Sequence, residues 1–176
     1  INKLSKSSSI FDYNKLNYFN NYYLRKEKNF YYFLDFIKND DQIKKYFESD
    51  KNKIKRIFKI YKKNIDFLKK LIEISDVYYD DNIKVIHKDI LNDNFNVNLN
   101  DFKIEIDKVN IWNSENIESV VKNFINTKNI KFPIFGKPLR YILINSENGP
   151  SIGDILYILG KKSTLLRINN YIRNTG

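Results

Sequence analysis

Cysteine, methionine and alanine are all absent from this 176-residue sequence, and histidine occurs once, as His87. Without cysteine, a disulfide scaffold, a thiolate zinc site and a cysteine nucleophile are excluded. One histidine cannot form a zinc-binding histidine pair, so we expect His87 to be a surface or capping residue. Only five glycines and three prolines are present, which excludes collagen-like and elastic chains. The sequence therefore contains no pattern typical of a metal centre or a nucleophilic active site.

The composition is dominated by isoleucine, lysine and asparagine, with 27, 26 and 26 copies. These residues share A/T-rich codons, so we attribute the skew to an AT-rich genome. Part of the formal charge of +10 then reflects mutational bias and not an anionic partner. Arginine, with five copies, is the more informative cation because its planar guanidinium forms bidentate hydrogen bonds that lysine cannot form.

The length allows one medium domain or two small ones, and a hydrophobic content of 42% excludes a wholly disordered chain. Apolar runs stay far below the roughly 20 residues of a membrane-spanning helix. Residues Ile1–Ile10 lack the apolar segment of a signal peptide. We therefore expect no membrane partner and a reducing aqueous compartment. Because no initiator methionine is present, we expect the chain to be part of a longer protein.

Apolar residues recur at helical spacing along most of the chain. One continuous stripe extends from Ile54 to Ile72. Ser114 predicts the start of a helix further along the chain. Pro150 and Gly160 predict the two ends of a third, and a last helix is expected over Ser163–Arg173. Two earlier helices are indicated by Leu16, Phe19 and Tyr23, and by Phe30, Phe33, Leu34 and Ile37.

Only two short segments alternate as strands do, Asn82–Ile86 and Phe102–Ile106. The asparagine-rich stretch Leu91–Asn100 between them predicts a surface loop. We therefore expect an all-α fold with two consecutive helical bundles that are joined near residues 80–100.

Basic residues are concentrated in two regions. Residues 128–176 carry eight Lys or Arg against two acids, and Lys51–Lys63 contains seven basic residues and no acid. On a helix, Lys55, Lys59, Lys62 and Lys63 would lie away from the apolar stripe. Two interpretations stay open: a solvated face enriched in lysine by codon bias, or a ridge that follows nucleic-acid phosphates.

Motifs at the two ends of the chain resemble one family. Ser5–Asp12 reads SKSSSIFD and Lys15–Tyr23 reads KLNYFNNYY. This pattern is similar to the segment that follows the catalytic core of bacterial-type glutamyl-tRNA synthetases, which are class I aminoacyl-tRNA synthetases. Ser9 stands where that family has alanine, and Tyr18 where it has tryptophan.

The C-terminal motifs resemble the same family independently. Phe135–Arg140 reads FGKPLR, Gly149–Pro150 follows, and Ile155–Lys161 reads ILYILGK before Leu166–Ile168. These motifs look like the final signature of the glutamyl enzymes, in the right order and at about the right separation. The resemblance therefore covers nearly the whole chain.

The resemblance implies the anticodon-binding part of such an enzyme, with helical bundles of the α-helix cage type. It implies a stem-contact junction at residues 1–25, a first anticodon-binding bundle at 26–90 and a second at 91–176. The catalytic domain, with its ATP and Mg²⁺, would lie upstream, so that this segment is itself non-catalytic and holds no cofactor. The implied partners are glutamate tRNA and that upstream domain, in a monomer. The implied location is a bacterial cytoplasm or the lumen of an endosymbiont-derived organelle.

The resemblance also implies site residues. Arg140 matches the base-contacting arginine of the family, and the positions that read the last anticodon bases match Asn148, Gly149, Pro150, Ser151 and Ile152. Candidate phosphate contacts are Lys55, Lys59, Lys62, Lys63, Lys161, Lys162 and Arg167. For Lys161 and Lys162, a purely structural role at a helix C-terminus stays open.

One departure concerns the choice of tRNA. Some bacterial glutamyl enzymes have an arginine in the first bundle that helps select the first anticodon base. The nearest segment here, Lys62–Leu68, has none. Glutamine tRNA is therefore a second candidate partner. A helical RNA-binding or protein-interaction module without a synthetase is the alternative function.

Overall fold

The computed structural model describes residues 12–24, 26, 31–32, 35, 38, 40–65, 68–83 and 93–175. Seven helices of more than one turn lie in these ranges, and no strand does. They are α1 Tyr13–Leu24, α2 Asp41–Tyr61, α3 Leu68–Tyr79, α4 Asp93–Asp107, α5 Ser114–Thr127, α6 Phe132–Ile144 and α7 Ile152–Thr175. The all-α prediction is confirmed. Among the described residues, no helix is both long and apolar enough to cross a bilayer.

Helix α4 corrects two predictions. The expected loop at Leu91–Asn100 is helical from Asp93 onward, and the expected strand Phe102–Ile106 lies in the same helix. Asparagines at alternate positions had hidden the helical spacing of the buried residues, which are Phe95, Leu99, Phe102 and Ile106. Two of these asparagine side chains, Asn98 and Asn100, donate to the carbonyl four residues earlier, at 2.7 and 3.1 Å. The other expected strand, Asn82–Ile86, is described only at residues 82 and 83, which lie in a turn and its end.

The predicted stripe from Ile54 to Ile72 does not form one helix. Helix α2 ends at Tyr61 and α3 begins at Leu68, although Ile65 between them is still fully buried. Within α2, Asp50 leaves the helical conformation, with φ −157° and ψ 92°. Its carboxylate accepts from the main-chain N–H groups of Asn52 and Lys53, both at 2.9 Å, and so caps the second half of the helix.

Helix α7 is also interrupted, at the glycine that the sequence predicted as a helix end. Gly160 has φ 79° and ψ 161°, a region that is essentially closed to other residues. The break leaves carbonyls near it without helical partners. The Trp112 Nε1–H donates to the Leu156 carbonyl at 3.1 Å, and Arg56 Nη1 donates to that of Tyr157 at 3.2 Å. Side chains from distant parts of the sequence therefore donate the hydrogen bonds that these two carbonyls lack within the helix.

The predicted starts of two helices shift slightly. Asn113, not Ser114, caps α5, because its side chain accepts from the Asn116 N–H at 2.8 Å. Pro150, predicted near the first helical position of α7, lies just before the cap: the Ser151 hydroxyl accepts from the Asp154 N–H at 3.1 Å, and the helix begins at Ile152. Polar caps thus select the helix starts in preference to the adjacent candidates.

A single apolar core connects α2 to α7. Its centre is a group of aromatic rings from α4, α5 and α6, with neighbouring centroids 5.2 to 5.6 Å apart: Phe95, Phe102, Phe124 and Phe135. Helix α7 packs against α2, α4, α5 and α6. The predicted boundary between two bundles falls largely in residues 84–92, outside the described ranges, so the domain division stays a prediction. The helix expected around Phe30 and Ile37 lies mostly outside them too.

Replacing Phe135 should test this centre. Phe135 is 1% exposed, whereas Ile134 beside it on α6 is 54% exposed. Phe135→Ala should lower the free energy of unfolding by about 3–5 kcal/mol, because it leaves a cavity among aromatic rings. Ile134→Ala, as the matched control, should change it by no more than about 0.5 kcal/mol. Urea unfolding followed by far-UV circular dichroism measures both, and equal losses would contradict the assigned core.

Candidate nucleic-acid interface

The loop of residues 145–151 joins α6 to α7 and contains four of the predicted base-reading residues. Asn145 ends α6 in the left-handed conformation, with φ 53° and ψ 37°. The loop then turns tightly: the Ser146 hydroxyl donates to the Asn148 carbonyl at 2.8 Å and accepts from the Asn148 N–H at 3.2 Å. Asn148 and Gly149 are left exposed at its tip.

Arg140 anchors this loop to α6. Its Nε donates to the Pro150 carbonyl and its Nη1 to the Glu147 carbonyl, each at 3.3 Å. The guanidinium carbon also lies 5.6 Å from the centroid of the Phe132 ring. The structure thus brings Arg140 together with residues 147–150, as the sequence predicted. Direct contact between Arg140 and a base stays a prediction, because two of its donors point at main-chain carbonyls.

A cleft of about 660 Å³ lies between the loop and the helices α2 and α3. Its apolar lining includes Ile60, Ile74, Val77 and Ile144, and its polar lining includes Tyr61, Asn64, Ser146, Asn148 and Asp154. The cleft is open to solvent, and Lys70 and Glu73, which form an ion pair at 3.2 Å, add charged groups to its lining. Asp154 is held by the Ser114 hydroxyl, which donates to its carboxylate at 2.7 Å.

Two tyrosines form one side of the cleft. The hydroxyl oxygens of Tyr61 and Tyr78 are 2.8 Å apart, and their rings meet edge to face with centroids at 6.0 Å. Burial raises the pKa of both phenols above the ordinary value, so both stay neutral at physiological pH. Sequence reasoning placed Tyr61 in the core stripe and did not single out Asn64 or Tyr78, because only the packing of α2 on α3 brings them to one cleft.

The predicted lysine ridge ends beside this cleft. Lys59, Lys62 and Lys63 lie at the C-terminal end of α2, next to the cleft residues Tyr61 and Asn64. Within the described part of the chain, none of these three lysines forms an ion pair. Lys55, one turn earlier, has its Nζ 5.9 Å from the centroid of the Tyr31 ring. The last lysines of the ridge therefore flank, in the chain, two residues that line the same cleft as the loop.

Arg167 corrects the sequence prediction of a phosphate contact. Its side chain is 2% exposed, and its guanidinium donates to main-chain carbonyls on two other helices. A phosphate therefore has no access to it in this conformation.

Of the other predicted contacts on α7, some are buried or already bonded within the protein and one is exposed. The Lys161 Nζ donates to the Asp107 and Val109 carbonyls and lies 3.2 Å from the Asp107 carboxylate, which is the structural role at a helix C-terminus. Lys162 is exposed. Ile152, predicted as an apolar contact for a base, is only 1% exposed and packs in the core. The Gly153 N–H beside it already donates to Glu118 Oε2 at 2.9 Å.

Comparisons with known proteins agree with one another. A family model described as "Anticodon binding domain" matches residues 32–172. The chain is 30% identical to the glutamate–tRNA ligase of Mycoplasma mycoides over 97% of its own length and 36% of that protein. It is 34% identical to the glutamate–tRNA ligase of Wigglesworthia glossinidia over 98% of its length and 37% of that protein.

Solved structures show the same fold. A crystal structure of a glutamate–tRNA ligase from Elizabethkingia meningosepticum, in complex with its amino acid, superposes with a TM-score of 0.79 at 20% identity. The match covers 99% of this chain and 35% of the other. The chain therefore spans a little over one third of the length of the relatives named here.

The tyrosine pair can be tested through stability. Tyr61→Phe should lower the free energy of unfolding by about 1–3 kcal/mol, because it leaves the Tyr78 hydroxyl buried without its partner. The double variant with Tyr78→Phe should lose less than the sum of the two single changes. Urea unfolding of all four proteins gives the coupling energy. Additive losses would show that the two hydroxyls are not coupled.

Proposed function

This chain belongs to the anticodon binding domain family, and we propose that it binds the anticodon arm of glutamate tRNA as part of a glutamyl-tRNA synthetase. The observation that carries the proposal is one juxtaposition. Tyr61 and Asn64, which flank Lys62 and Lys63 in the chain, line the same cleft as Asn148 and Gly149 at the exposed loop tip. Among the residues that the structure describes, Lys59, Lys62 and Lys63 form no ion pair. The relatives named above are glutamate–tRNA ligases, which favours this function over an unattached helical interaction module.

The proposed division of labour follows from the chemistry of each part. Exposed lysines attract phosphates without regard to sequence, and so set the register of the RNA. Anticodon bases are unpaired and can leave the loop to be stacked and hydrogen-bonded on their edges. Tyr61 offers an aromatic ring for stacking, and Asn64 and Asn148 offer amides for the base edges. The loop tip at Gly149 allows close approach of the main chain.

The rest of the parent protein enters the proposal as the catalytic part. The chain spans about 36% of its ligase relatives, so ligation of glutamate with ATP and Mg²⁺ would take place outside it. The proposal includes glutamine tRNA as a second ligand. Asn64 lines the cleft within the segment Lys62–Leu68, which contains no arginine, so this segment has no guanidinium to select the first anticodon base.

Phosphate contacts are testable through salt dependence. Lys59→Gln and Lys63→Gln should each weaken binding to a UUC anticodon stem–loop and to an otherwise identical AAG stem–loop by the same factor. Each should also reduce the slope of log affinity against log salt by about one. Lys44→Gln, a change of an exposed lysine near the other end of α2, should leave the slope unchanged. Binding by the wild type that is indifferent to salt would contradict tRNA recognition and favour an interaction module.

Base selection is testable at Arg140. Arg140→Ala should cost about 1–3 kcal/mol of binding to the UUC stem–loop and reduce the preference over the AAG stem–loop, because it removes the anchor of the reading loop. The control is Arg173→Ala, which removes an exposed arginine near the end of α7. Fluorescence anisotropy titrations measure both preferences. If the two variants behave alike, Arg140 has no role in selecting bases. Titration of the wild type with a UUG stem–loop tests the acceptance of glutamine tRNA.

A further inference from the structure

Arg167 makes an unusual set of hydrogen bonds. Its Nη2 donates to the carbonyls of Val77, Tyr78 and Asp80, at 2.9, 3.2 and 2.9 Å, and its Nη1 donates to the carbonyl of Leu143. Val77 and Tyr78 lie in the last turn of α3, Asp80 follows directly after that helix, and Leu143 lies in the last turn of α6. One guanidinium on α7 therefore connects the ends of two helices that are more than 60 residues apart in sequence.

Both helix ends are walls of the cleft. Val77 and Tyr78 line it from α3, and Ile144, which follows Leu143, lines it from α6. The 145–151 loop begins immediately after Ile144. Arg167 itself does not line the cleft, so any effect on a ligand has to pass through these walls.

The chemistry of this site requires arginine. The carbonyls at a helix C-terminus have no helical partner and carry partial negative charge, so a cation is stabilised there. A guanidinium has donors on three nitrogens in a fixed plane and can therefore reach two helix ends in fixed geometry, whereas the single ammonium nitrogen of lysine cannot. The Arg167 Nε lies 3.7 Å from the Asp81 carboxylate and, among the described residues, has no hydrogen-bond partner. The hydrogen bonds that orient the guanidinium thus go to main-chain carbonyls, while the Asp81 carboxylate offsets its charge.

We propose that Arg167 is a positioning residue for anticodon reading, which sets the distance and orientation between the α3 wall of the cleft and the 145–151 loop. This inference rests on the proposed function. A base that enters the cleft meets Tyr61 and Asn64 at the end of α2 on one side and Asn148 of the loop on the other. The α3 wall positions the first side, because the Tyr78 hydroxyl lies 2.8 Å from that of Tyr61. Discrimination between bases needs these groups at fixed positions, whereas phosphate contacts with flexible lysines do not.

The first test uses Arg167→Lys in the 176-residue chain, with Arg173→Lys on the same helix as the control. Arg167→Lys should reduce the preference for the UUC over the AAG stem–loop about tenfold, within the range of one lost base contact. Its salt slope should match that of the wild type. Amide hydrogen exchange should accelerate in the 145–151 loop and not in α5. Arg173→Lys should change none of these quantities.

A second measurement needs no substitution and no RNA. In the wild type, the amides of residues 80–83 and those of 145–149 should open with equal free energies across a series of low urea concentrations, because one side chain holds both segments. Unequal opening would show that the two segments are not held together, which overturns the proposal even if Arg167→Lys fails to fold.

The remaining outcomes separate this inference from the function on which it rests. If Arg167→Lys lowers the melting temperature but retains the wild-type preference and loop exchange, Arg167 is merely structural. If the wild type itself binds the UUC and AAG stem–loops equally, anticodon recognition is wrong, and the equal-opening measurement still decides whether Arg167 holds the two walls together.

Discussion

The carbonyl groups at the C-terminal ends of the helices are the constraint on which this structure depends. Each α-helix ends with four carbonyls that have no partner inside the helix, and burial without a hydrogen bond is costly. Here long side chains from other elements provide the missing donors. Arg167 serves α3 and α6, Lys161 serves α4, and Trp112 and Arg56 serve the interrupted helix α7. These hydrogen bonds have direction, and so they orient helices that the apolar core alone would leave free to slide.

Helix α7 is the centre of this arrangement. It packs against four other helices, and it both donates to helix ends through Arg167 and Lys161 and accepts through the carbonyls near Gly160. The break at Gly160 is what exposes the Leu156 and Tyr157 carbonyls to these donors. Two parts of the cleft wall, the C-terminal ends of α3 and α6, are bound by Arg167 of α7. Arg140 then adds a second connection, between α6 and the loop.

Periodicity predicted most helices because a helix that is buried on one face has apolar residues at helical spacing in its sequence. It failed at α4, where the asparagines between the buried Phe95, Leu99 and Phe102 imitate a polar loop. The prediction of a phosphate contact at Arg167 failed for a different reason. An arginine in a basic C-terminal region suggests a phosphate contact, and only the meeting of two distant helix ends shows why that side chain is buried. The cleft that Tyr61 and Asn64 share with the 145–151 loop likewise depends on tertiary packing, which periodicity does not predict. The loop residues themselves were predicted from the family resemblance.

The two kinds of cation have different roles in this structure. Lysine is sufficient wherever only a point charge is needed, as on an exposed helix end. The ends of α3 and α6 are different, because they need several donors in one plane. Of the five arginines, Arg56, Arg140 and Arg167 all donate to main-chain carbonyls. Arginine was therefore the informative residue, as the composition suggested, but what it reports is the geometry that holds helix ends and the 145–151 loop in place. In the proposed interface, the lysines at the end of α2 supply the charge for the phosphates.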